Sequence, residues 1–365
     1  MPGNEDSITA LKAAFQQKNL SLYFGAGISV ESGIPSWDKL VLALYFRAAA
    51  GDWIYSRSPF PNYLYAIAEW QLERDHEPLD ITARKIRHFY GDDETFFDDL
   101  RTTIYAGLKG DYSEQWQPDA FMLRQGNRTL DGVASLCERT NAQRGVRAVI
   151  TYNYDNLVEA VTAGFRPKFV PVWKSSAQLG EHDCPIVHVH GYIPPVGEGS
   201  PPGEIVLTEE QYHAAAHSPY SWSNLAQIQC LSSSVGLMVG LSLSDRNMRR
   251  LLDALRSAPL KQRRFALLRR PRWAEPKDEE LDQIHNKAIS YLERFEKSGA
   301  KRSGPRRNDE MLGIIRELNR LGDSKYTDVL NEMGITPIWF DDYDEVGEIL
   351  KQIAGVSPIG TRNCT

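Results

Sequence analysis

The sequence predicts an α/β protein: a doubly wound, mostly parallel sheet, interrupted after its first strand by a helical insertion module. Three observations predict it. First, short and nearly continuous apolar runs recur, as strands covered on both faces require. They are LSLYF (20–24), RAVITYN (147–153), KFVPVW (168–173), PIVHVHG (185–191), EIVLT (204–208), VGLMVG (235–240), RFALLRR (264–270) and ITPIWF (335–340). Second, helical spacing fills several gaps between them, as at Met248, Leu251, Leu252 and Leu255. Third, from about Asp38 to Gln143 nearly every apolar pattern is helical. The predicted division is 1–40 plus 146–365 for the sheet domain and 41–145 for the helical module.

In chain order, Ile8, Leu11 and Phe15 predict a first amphipathic helix that ends at Asn19, before the strand 20–24. In the helical stretch three sets share a face: Tyr63, Ile67 and Trp70; Phe97, Leu100 and Ile104; Leu130, Val133 and Cys137. Tyr63, Tyr65 and Trp70 are expected to fill the core of the module, with a lid over a ligand as the alternative. Residues 297–307, KSGAKRSGPRR, read as a basic solvated loop or as a contact for phosphate or a partner. The acidic run DDYDE (341–345) reads as a helix start.

Composition narrows the function. The 365 residues carry a net charge of −6 at pH 7, with 42% hydrophobic and 25% charged residues, so overall charge calls for neither nucleic acid nor an anionic membrane. No apolar run approaches the roughly 20 residues that span a bilayer. The N-terminus lacks a basic segment followed by an apolar one, so no secretion signal is expected. Cys137, Cys184, Cys230 and Cys364 include no CxxC spacing, so no zinc module is expected, and scattered thiols suit a reducing cytoplasm. Cys184, His188 and His190 alternate along one run and have metal-like content. A fourth ligand is missing, and a strand would hold Cys184 more than about 12 Å from His188.

The chemistry concentrates at FGAGISVESGIPSW (24–37). Gly25 and Gly27 let backbone approach a ligand, a following helix start would favour an anion, and Ser29 adds a hydroxyl. Val30 occupies the place of a third glycine, the region RAAA (47–50) lacks the expected acid, and no GK-Ser/Thr follows. These departures weaken both the dehydrogenase and the P-loop reading.

Four stretches together are similar to sirtuin-type domains: GAGISVESGIPSW, TYNYD (151–155), His190-Gly191 and GLSLSD (240–245). The resemblance covers the first 40 residues and 146–250, and it implies a Rossmann-like sheet that binds NAD as substrate. By resemblance, Gly25, Ala26, Gly27 and Ser29 would cradle the diphosphate, and Asn153 and Asp155 would face the nicotinamide ribose and carboxamide. His190 would act at the ribose or on a water, and Gly240 and Ser242 would hold the phosphates or the adenosine ribose. Asn153 and His190 are the expected catalytic pair. Each position also has a plainer reading: Asn153 or Asp155 as a helix cap, His190 as a core histidine, Ser242 as a turn hydroxyl, and Asp245 with Arg249 as a surface pair four residues apart.

Protein-deacylating sirtuins carry a zinc module, and after the GIP turn they carry Phe-Arg where this chain has Trp37-Asp38. Deacylation is therefore disfavoured and NAD hydrolysis is not. TYNYD, the helical insert and SLSDRNMR look more like the sirtuin-like effectors of bacterial anti-phage defence. Chain length resembles the stand-alone subunit that assembles with a HerA-family hexameric ATPase. The expectation is a cytoplasmic, oligomeric NAD glycohydrolase gated by a partner, with a catalytically silent NAD- or ADP-ribose-binding module as the alternative.

Overall fold

A computed structural model of the chain describes residues 4–50, 62–108, 119–195, 205–218, 220–256, 262–271, 276–296 and 308–356. The basic loop 297–307 and Cys364 lie outside them. Seven strands form one sheet: β1 (Leu20–Phe24), β2 (Val146–Thr151), β3 (Phe169–Val172), β4 (Cys184–His188), β5 (Val235–Val239), β6 (Arg264–Arg269) and β7 (Ile335–Phe340). Their order is β3-β4-β2-β1-β5-β6-β7, and every pairing is parallel. β1 pairs with β2 on one side and β5 on the other. The chain thus builds one half of the sheet beside β1, with β4 lying between β2 and the edge strand β3, then returns to build the other half, and the β1/β5 boundary is the switch point.

β1 is central and wholly buried because both its faces are covered. Leu20, Leu22 and Phe24 enter the main apolar cluster beside Leu11 and Phe15 of helix α1 (Glu5–Gln16). Ser21, on the opposite face, meets the Ser234 hydroxyl at 2.7 Å. The edge strands β3 and β7 carry Pro171 and Pro337, where a missing N–H costs least.

The run 204–208 is a correction: its described residues, 205–208, pair with no strand. The Val206 N–H binds the His190 carbonyl at 2.9 Å, and Thr208 forms a capping box with Gln211 at the start of helix α9 (Glu209–His217). This apolar run braces the loop after β4 instead.

Between β1 and β2 the described elements are two 3₁₀ turns (Ala26–Ile28 and Val30–Ser32) and helices α2 (Trp37–Ala50), α3 (Asn62–Asp75), α4 (Leu79–Phe89), α5 (Asp93–Tyr105), α6 (Ala120–Gly126) and α7 (Arg128–Glu138). Val41, Leu100, Ile104, Leu130 and Val133 share one apolar cluster with Leu22, Val149 and Leu237 of the sheet.

The aromatic residues of helix α3 divide: Tyr65 packs half-buried against the clusters shared with α2, as expected, while Tyr63 and Trp70 face outward. Leu64, Ala68 and Leu72 face Leu42 and Ala43 of α2, whereas Tyr63, Ile67 and Trp70 are 52%, 48% and 61% exposed. The sequence offers two apolar stripes, and the narrower one permits close helix approach. Arg74 covers Trp70, its guanidinium 5.2 Å from the ring centroid.

The later helices are α8 (Leu157–Thr162), α9, α10 (Trp222–Ser233), α11 (Arg246–Arg256), α12 (Asp278–Glu296), α13 (Asn308–Glu332) and α14 (Asp344–Ile353). The chain divides into two compact units, Met1–Arg269 with Met333–Thr365, and Arg270–Glu332. The helices between β1 and β2 lie in the first unit with the sheet. Among the described residues the second unit holds α12 and α13. Among the described residues no helix is long and apolar enough to cross a membrane.

Candidate active site

The carboxyl ends of β1, β2, β4 and β5 open onto one crevice of about 1040 Å³, the place where open α/β sheets bind ligands. Gly25, Ala26 and Gly27 line it from β1, Asn153 and Asp155 from β2, His190 from β4, and Gly240, Ser242 and Asp245 from β5. Of the nine residues given a role by resemblance, Ser29 alone does not line the crevice, and it is fully buried.

The glycine loop is built by backbone contact across the switch point. The Gly25 N–H donates to the Val239 carbonyl at 3.1 Å, and the Gly27 N–H donates to the Gly240 carbonyl at 3.0 Å. A Cβ on Gly27 would lie 2.6 Å from Gly240 Cα. Gly240 has φ +67°, the left-handed region, and its own Cβ would meet the Ile28 nitrogen at 2.6 Å. The glycines thus bring the β1 and β5 loops together. Two 3₁₀ turns follow instead of a long helix, and α2 begins only at Trp37.

Asn153 is locked to this loop. Its Nδ2 donates to the Gly25 carbonyl and to Ser29 Oγ, both at 3.1 Å. The Gly25 carbonyl can only accept, so the amide nitrogen must face it, and Oδ1 is the end left for a ligand or water. Asn156 stands at the cap position of α8, so Asn153 is not the cap. Ser29 also hydrogen-bonds the Asp155 carboxyl, giving a buried chain Asn153–Ser29–Asp155. Asp155 Oδ1 accepts from the Leu157 N–H at 3.1 Å, so its turn-capping role is real. Burial pushes its carboxyl up to about 6, the two hydrogen bonds opposing this.

The three metal-like side chains of the β4 run diverge. Cys184 Sγ faces the Val146 carbonyl. His188 Nδ1 lies 3.1 Å from the Asn153 carbonyl, and its Nε2 lies 2.7 Å from Glu159 Oε1. A carbonyl cannot donate, so Nδ1–H is the donor, and His188 ties the Asn153 backbone to α8. His190 lies beyond the strand end, between the edges of Tyr152 and Tyr212, at centroid distances of 5.1 and 5.2 Å. Its Nε2 lies 3.4 Å from Asp245 Oδ2. Burial lowers the His190 pKa, and the Asp245 charge partly opposes it. Among the described residues no group of three His, Cys, Asp or Glu side chains could hold a metal ion.

Sequence reasoning missed Tyr152, Tyr212, Glu159 and the role of His188. TYNYD itself contained Tyr152, but Tyr212 and Glu159 carry no local signal, since each meets its histidine only through the fold. Asp245 faces His190, while Arg249 donates to the Ser244 carbonyl at 3.3 Å, so the expected surface pair does not form.

A family model described as a SIR2-like domain matches residues 147–292. That span holds TYNYD, His190-Gly191 and GLSLSD, and it begins after the glycine turn. No curated protein matches the chain. Among solved structures, one described as the structural basis for the mechanism and regulation of Sir2 enzymes is similar over 96% of this chain and 97% of its own, at 13% identity and a TM-score of 0.37.

Proposed function

We propose that the chain hydrolyses NAD to nicotinamide and ADP-ribose. The observation that carries this reading is the convergence of Asn153 and His190 with the glycine loops on one crevice at the switch point. The similarity of residues 147–292 to SIR2-like domains supports an NAD-using site.

The bond from ribose C1′ to the nicotinamide nitrogen is primed to break, since its electron pair leaves with a ring that becomes neutral. The site must stabilise an oxocarbenium-like ribose and orient water. Asn153 Oδ1, fixed by its two donor bonds, accepts from the water. His190, held neutral by burial, takes the water's proton as C1′–O forms. Gly25, Ala26 and Gly27 hold the diphosphate, Ser29 supports Asn153 and Asp155 from behind, and Gly240 and Ser242 meet the other end of the dinucleotide.

The resemblance extends the reading to an effector of anti-phage defence that depletes cellular NAD in abortive infection. It would act in the cytoplasm, as an oligomer, and be gated by a HerA-family ATPase.

Nicotinamide and ADP-ribose are quantified by chromatography from the purified chain, alone and with the ATPase, beside His190→Ala and Asn153→Ala. Equal release of both products, lost in both variants, is expected. NAD binding by calorimetry without turnover under either condition would replace the enzyme with a binding module. Deacylation of an acetyl-lysine peptide would reassign the acceptor.

A further inference from the structure

We propose that Asp245 is a positioning residue for His190, orienting the imidazole and stabilising the imidazolium formed when water is deprotonated; this rests on the hydrolase reading above. The two side chains come from the β4 and β5 loops, on strands separated in the sheet by β2 and β1. They are 9% and 12% exposed and 3.4 Å apart. Asp245 is itself held in place: its Oδ1 accepts the Met248 N–H at 2.6 Å, at the first turn of α11. One carboxylate oxygen thus anchors to the helix while the other faces the histidine.

The groups around His190 leave this role to Asp245. Tyr152 comes from the end of β2 and Tyr212 from α9, and burial raises both phenols above their ordinary range, so both are neutral. The Tyr152 hydroxyl is engaged by Gln227 Oε1 at 2.6 Å. Asp245 is the one charged side chain paired with His190 among the described residues. The Asp245 charge favours a proton on Nε2, the nitrogen that faces it, and leaves the lone pair on Nδ1. In the reaction a water O–H bond breaks as C1′–O forms, the proton passes to Nδ1, and the C1′–N electron pair leaves with nicotinamide. The positive imidazolium then faces the Asp245 charge in a site that excludes most water.

The test uses the full chain with Asp245→Asn, whose amide oxygen still accepts the Met248 N–H, and Asp245→Ser, which also caps a helix. Imidazole NMR follows the His190 titration, assigned by the signal missing in His190→Gln. Removing the charge is expected to lower the His190 pKa in both variants. With NAD, kcat is expected to fall about 10- to 100-fold from loss of the charge that faces the imidazolium, with KM within about twofold. The acid limb of kcat is expected to move to lower pH, and Asp245→Glu to restore part of the rate. An unchanged His190 titration, or a loss confined to KM, overturns the proposal. If the unmodified chain releases no nicotinamide under any condition, the hydrolase reading fails and the catalytic role with it, while NMR still decides whether the pair exists.

Discussion

Adding a single methyl group at Gly27 tests whether the glycine loop is built for contact between loops. In Gly27→Ala the new Cβ would lie 2.6 Å from Gly240 Cα and 2.9 Å from its carbonyl oxygen. Ordinary carbon contacts need about 3.5–4.0 Å, so the β1 and β5 loops must part by about 1 Å. Overpacking of this kind costs about 1–3 kcal/mol. In Gly240→Ala the Cβ meets Ile28 N at 2.6 Å, and φ +67° adds about 1–2 kcal/mol for a left-handed alanine, roughly 2–5 kcal/mol together. Gly126→Ala is the control: nothing lies within 4 Å of its Cβ, and loss of unfolded-state freedom should leave it neutral or about 0.4–1 kcal/mol more stable. A displacement of about 1 Å also costs an active site on the order of 100-fold in rate. Urea unfolding and nicotinamide release, measured on all three, should therefore rank Gly240→Ala below Gly27→Ala, and both below the unmodified chain and Gly126→Ala. A Gly27→Ala protein with unaltered midpoint and turnover would refute the reasoning, because the methyl would then have found space between the loops.

Three further outcomes are expected. Asp155 goes from an ordinary 3.8 to about 6 on folding, so the folded chain holds this proton longer than the unfolded one. The associated stability is complete below about pH 4 and is lost as pH rises through 6, in total on the order of 3 kcal/mol. Asp155→Asn keeps an acceptor for the Leu157 N–H and should flatten this part of the stability profile, and urea midpoints at pH 4.5 and 8 read the difference. His188→Ala should destabilise the fold by about 3–5 kcal/mol, since it strands the Glu159 carboxylate and the Asn153 carbonyl; a change below about 1 kcal/mol in the urea midpoint would disprove the tie. Trp70→Ser, on the exposed stripe of α3, should stay within about 0.5 kcal/mol of the parent by the same measurement.

The sequence alone determined the sheet and which loops meet at its carboxyl edge. Strands buried on both faces must be nearly all apolar, so LSLYF, RAVITYN, VGLMVG and RFALLRR stood out without any partner being known. Polar and glycine residues at the ends of such runs had to fall at one edge of a parallel sheet. For that reason Gly25, Asn153, His190 and Gly240 could be grouped from spacing and resemblance. What spacing could not reach was decided by tertiary contact. Helix α3 carries two apolar stripes, and only close packing on α2 selected Leu64, Ala68 and Leu72 over Tyr63, Ile67 and Trp70. The run 204–208 was apolar enough for a strand, yet its Val206 N–H binds the His190 carbonyl and no strand pairs with its described residues. Ser29 turned inward to Asn153 and Asp155 because a buried hydroxyl must find partners. Asp245, read locally, had Arg249 four residues away. Folding placed His190 nearer through the strand order, a long-range fact that no local pattern of residues encodes.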